Sequence, residues 1–85
     1  MNKSINITVK YDDQLEKITN CAEHPCVMSE GSTFIYLLQN IDSAYPKIFE
    51  TYKPGELGIL LNNKPVDHLA MLMDGDVVEF RVVKI

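Results

Sequence analysis

The chain has 85 residues, 46% of them apolar and 24% charged, with a formal net charge of −4. That length suits one domain, 1–85, with one compact core, and leaves no room for a large cleft between domains. No apolar run approaches the roughly 18 residues that cross a membrane, and an acidic surface repels phosphate backbones and anionic lipid, so neither nucleic acid nor membrane is an expected partner.

The first residues, Met1-Asn2-Lys3-Ser4-Ile5, lack the apolar stretch and small-residue cleavage site of a secretory leader, so a cytoplasmic location is expected. Ile5, Ile7, Val9 and Tyr11 then alternate with polar residues, the period of a half-buried strand. Asp12-Asp13 ends it. Residues 15–18 suit a single helical turn, and the polar residues 19–24 read as loop. Residues 25–29 form a second strand, with Pro25 at its first position, where no donor is needed. Ser32 or Thr33 caps a helix whose stripe of Phe34, Leu37, Leu38 and Ile41 should face the sheet, with Phe34, Leu37 and Leu38 deeply buried. Ser43 is a candidate cap for a second helix carrying Tyr45, Ile48, Phe49 and Tyr52 inward, stopped by Pro54-Gly55. The apolar run 57–61 suits a central strand covered on both faces. Asn62-Asn63 signals a tight turn, since asparagine tolerates φ > 0. Lys64-Pro65-Val66 would be an edge strand, Leu69 and Leu72 lie in a turn-like stretch, and Asp74-Gly75-Asp76 turns the chain again. Val78, Phe80 and Val82 alternate in a closing strand.

Two cysteines are too few for a disulfide-stapled scaffold. Cys21 and Cys26 read as reduced thiols; a local disulfide or a metal are the alternatives, and zinc would find only Cys21, His24 and Cys26 locally, unless His68 folded back. His24 beside Cys26 could activate a thiolate, but the plainer reading is a solvated loop histidine. Asp74 and Asp76 lack the spacing of a calcium loop, and no glycine-rich phosphate loop occurs. No catalytic residue, metal or cofactor is therefore expected.

A strand pair, a helix crossing over, and a long closing strand make the first and last strands parallel neighbours. The expected fold is α+β: a β-grasp, or ubiquitin-like, mixed sheet of four to five strands with one main and one shorter helix on one face. At this point the sequence resembles the MoaD/ThiS group of ubiquitin-like sulfur carriers, which includes the small subunit of molybdopterin synthase. The residues carrying the resemblance are Glu30-Gly31-Ser32-Thr33 leading to Leu37-Leu38, then Leu15-Glu16-Lys17-Ile18-Thr19, Tyr45-Pro46-Lys47-Ile48, Leu61-Asn62-Asn63-Lys64-Pro65-Val66 and Leu72-Met73-Asp74-Gly75-Asp76-Val77-Val78. The resemblance covers nearly the whole chain in order. It implies a larger protein partner, an activating enzyme or the large subunit of a synthase.

Members of that group end in Gly-Gly, whose carboxylate becomes a thiocarboxylate. Here the sequence reads Phe80-Arg81-Val82-Val83-Lys84-Ile85, and all four glycines are internal. The expectation is a non-catalytic binding module or small subunit. The alternative is a true sulfur carrier for molybdopterin or thiamine synthesis, whose Gly-Gly lies outside these residues. The sheet face away from the helices should carry Val77, Glu79, Arg81, Val83 and Ile85. Apolar residues around a few charges make this row, with Lys84, the candidate protein interface. It would dock on the larger partner, or on a second copy of the chain in a homo-oligomer.

Overall fold

In the computed structural model, residues 3–67 and 69–83 are described. Strand β1 (Ser4–Tyr11) pairs antiparallel with β2 (Glu23–Ser29) and parallel with β5 (Val77–Val82); β3 (Leu57–Leu61) pairs antiparallel with β5 and with β4 (Lys64–Pro65). The order β2-β1-β5-β3-β4, with helices on one face, is the β-grasp.

Helix α1 (Asp13–Thr19) is longer than the single turn expected, because both of its ends are closed. Asp12 Oδ1 accepts the Leu15 N–H at 2.9 Å, and Asn20, at φ 62°, turns the chain out through the left-handed region. The loop is correspondingly shorter than residues 19–24. β2 starts at Glu23, so Pro25 is the third residue of its strand and not the first. The register explains why this is tolerated. Pro25 lies opposite Thr8, whose N–H points the other way, to the Asp76 carbonyl at 3.0 Å. The Pro25 nitrogen thus faces the outside of an edge strand, where a missing donor breaks no ladder bond.

Helix α2 (Phe34–Ala44) buries Phe34, Leu37 and Ile41; Leu38 is only half-buried, at the side where the helical layer gives way to β3. Thr33 stands at the N-cap without a side-chain bond. The Ser32 hydroxyl bonds back to Ser29, and the Phe34 N–H is taken by the Ala70 carbonyl at 2.8 Å. Ser43 does not cap a helix; it lies inside α2, and α3 (Pro46–Thr51) begins directly after Tyr45, with proline in its first turn. The described residues therefore form three α-helices where two and a single helical turn were expected. Leu15 of α1, the α2 stripe and Ile48 of α3 meet Ile7, Val9, Val78 and Phe80 in one cluster.

A short 3-10 turn (Pro54–Glu56) leads into β3, which is half-buried throughout and covered on one face only. The pairing of Ile59 with Phe80 and of Leu60 with Glu79 puts Leu57, Ile59 and Leu61 under the helices and Gly58 and Leu60 on the other side. β4 stops at Pro65, one residue short of expectation. The turn between β3 and β4 uses Asn62 and Asn63 at φ 51° and 67°, as their residue type predicts.

Candidate protein-docking face

β5 runs through the middle of the sheet, so its alternation sorts its residues between two environments. Val78 and Phe80 are fully buried beneath the helices. Val77, Glu79, Arg81 and Val83 therefore point to the uncovered face, Val77 and Glu79 half-buried, Arg81 and Val83 exposed. Lys84 and Ile85, which the sequence added to this row, lie outside the described residues.

Neighbouring strands complete the face. Val77 lies opposite Thr8, Glu79 between Lys10 and Leu60, and Leu60 beside Pro65. Arg81 and Glu79 form an ion pair at 2.8 Å. At that exposure it adds little stability, but it fixes two charges side by side among apolar neighbours. Val83 is held at the edge by two contacts. Its N–H donates to the Glu56 carbonyl at 2.8 Å, and its side chain lies over Gly58, where a Cβ would come within 2.7 Å of Val83 Cγ2. One residue earlier, the Val82 N–H donates to Asp12 Oδ2 at 2.6 Å. Asp12 thus caps α1 with one oxygen and fixes the end of β5 with the other, a double role that residue spacing does not reveal.

The remaining candidate side chains are occupied in the fold. His24 is not a solvated loop residue. It sits half-buried on β2, with Nε2 2.7 Å from the Tyr11 hydroxyl and Nδ1 3.0 Å from the Pro25 carbonyl. A carbonyl only accepts, so Nδ1 carries a proton and neutral His24 accepts the Tyr11 O–H at Nε2. Tyr45 packs edge-on against Tyr11, their centroids 6.1 Å apart. Burial pushes the Tyr11 hydroxyl well above the ordinary tyrosine range, and it also raises the Cys26 thiol. Both cysteines are free thiols. From Ala22, which bonds Tyr11, four extended steps at ~3.3 Å reach Cys26. That keeps Cys21, one peptide from Ala22, beyond the roughly 4.4–6.8 Å a disulfide needs. Asp76 accepts from the Asn62 amide at 3.0 Å and the Met73 N–H at 2.8 Å, and Asp74 from the Asn6 N–H at 2.7 Å. The acidic turn therefore binds backbone. Among the described residues no three His, Cys, Asp or Glu side chains converge as a metal-holding group, and no helix is long and apolar enough to cross a membrane.

No protein-family model matches the chain, and no curated protein sequence does. Solved structures do match. The Pyrococcus furiosus protein assigned as molybdopterin converting factor subunit 1 superposes with TM-score 0.82 at 23% identity, over 94% of this chain and 99% of that one. The small archaeal modifier protein SAMP1 of Haloferax volcanii gives 0.80 at 13% identity, over 93% and 96%. Its counterpart from Methanosarcina acetivorans gives 0.76 at 19%, over 94% of both chains. The fold is the ubiquitin-like β-grasp of MoaD-like and small-modifier proteins. At these identities the likeness is one of fold.

Proposed function

We propose that this chain is a non-catalytic β-grasp protein of the cytoplasm that works by docking the uncovered face of its sheet on a larger protein. One observation carries this reading. Val77, Leu60 and Val83 share that face with an Arg81–Glu79 ion pair, an apolar centre with fixed charges beside it, as protein interfaces have. The commitment of His24, Asp74 and Asp76 to structural bonds supports a role without catalysis. The experiment is photo-crosslinking in the native host, with the cross-linker at Val77 or Val83 and, as control, at Asp42 on the exposed side of α2. A discrete larger adduct from the sheet positions alone is expected. An adduct from Asp42 alone contradicts the reading, and an adduct of twice the chain mass replaces the larger partner with a second copy.

A second reading is favoured by the fold shared with the Pyrococcus furiosus protein: a sulfur carrier, its diglycine following Ile85. The intact mass of the native protein decides it. A mass increased by two glycines supports the carrier; the mass of the 85-residue chain excludes it.

A further inference from the structure

Seven large apolar side chains of the described residues are more than 40% exposed, and only one of them, Val83, belongs to the row read as an interface from sequence. Five of the others, Ile35, Tyr36, Leu69, Met71 and Met73, sit on two segments that the backbone ties together. Thr33 bridges to Met71, the Phe34 N–H donates to Ala70, and the Leu72 N–H donates to Ser32 at 2.9 Å. Leu72, fully buried, pins the loop between its two exposed methionines. This pole adjoins the beginning of β5, where Gly75 bonds Asn6, at the opposite end of the strand from Val83.

Met71 and Met73 line one groove of about 640 Å³. Its floor is the buried Ile5 and Leu72, and among the described residues its rim carries the carboxylates of Glu30 and Asp74 against one ammonium, that of Lys3. We propose that this groove docks a short segment of a partner protein that is both apolar and basic. Thioether side chains are flexible and polarizable, and adapt their shape to an apolar side chain laid among them. The excess of carboxylates on the rim selects a cationic flank, and the chain's net charge of −4 repels an acidic one. The same charge disfavours a second copy here. This surface is separate from the uncovered sheet face, and the inference does not rest on that face.

The test uses the whole chain with 13C-labelled methionine and valine methyls and a synthetic peptide of alternating leucine and lysine. Met71 and Met73 signals should move together and saturate, while Met28, buried on β2, stays still. A peptide with serine for leucine should bind at least about tenfold more weakly, and one with glutamate for lysine should not bind. Met73→Gln should raise the dissociation constant of the leucine–lysine peptide about tenfold, at an unchanged urea midpoint, because that side chain is exposed. Three results overturn the inference: equal binding of the serine peptide, saturable shifts confined to Val77 and Val83, or no saturable shift at all. Movement of Met71 and Met73 with protein concentration alone overturns it too, in favour of a second copy.

Discussion

Tyr11 ends β1 beneath the helical layer and touches Phe80, Tyr45 and His24 at once. Its hydroxyl is held neutral by burial, so the sign of its pH effect follows directly. The unfolded chain releases the proton near pH 10, the folded chain only at higher pH. Stability from this group is full below about pH 10 and is lost as pH rises above it. Tyr11→Phe should flatten the alkaline fall of the urea midpoint. At pH 7 it should cost about 0.5–1.5 kcal/mol, from the lost bond to His24. An alkaline limb unchanged by the substitution would contradict the burial assigned to Tyr11. Gly58 makes the second prediction at this scale. In Gly58→Ala the new methyl meets Val83 Cγ2, and the stiff β-branched side chain must move off the sheet. The Val83 methyl resonances should shift while stability changes by less than about 1 kcal/mol. Unmoved Val83 methyls would show that Gly58 is not its seat.

Among elements, α2 carries the crossover, and its inward stripe is the strongest periodic signal in the chain. Leu37→Ala should cost about 2–5 kcal/mol in urea unfolding, from lost burial and the cavity left behind. A neutral result would place Leu37 outside the core. That stripe, the alternation of β1 and β5 and the paired asparagines were legible because each states its own period or φ requirement. What could not be read depended on partners distant in sequence. Asp12, the local cap of α1, also fixes the end of β5, through its second oxygen on Val82. The start of α2 is closed by the Ala70 carbonyl rather than by its own Thr33. Pro25 reads as a strand start because proline lacks a donor, yet the register makes it harmless two residues later. The run 57–61 looks doubly covered because Gly58 and Leu60 are apolar; they face the open side of the sheet, where Val83 packs on Gly58. His24 looks solvated by its polar neighbours, because nothing local shows that β2 brings it to Tyr11.

Across the whole molecule the charge is unevenly spread. On the uncovered face Lys10 and Arg81 stand beside Glu79 and Glu23, so the described strands there are near neutral while the chain carries −4. A face without net charge is the one where burying apolar area against a partner meets least electrostatic resistance. Its parity was legible from β5 alone, since Val78, Phe80 and Val82 announce the buried side. Met71, Met73, Ile35 and Tyr36 were legible as surplus apolar residues, but not their gathering at one pole, because the loop that carries the methionines reaches α2 only through backbone bonds. Within the face, Val83→Ala should weaken partner binding by at least about 1 kcal/mol, and Glu79→Ala by much less, with the fold intact in both. The reverse order would make the charge the anchor. The most direct measurement labels the valine methyls and adds the partner that cross-linking identifies. Val77 and Val83 should shift or broaden on binding, while Val9 and Val78, fully buried under the helices, stay unchanged. Binding that leaves Val77 and Val83 untouched would contradict docking through this face.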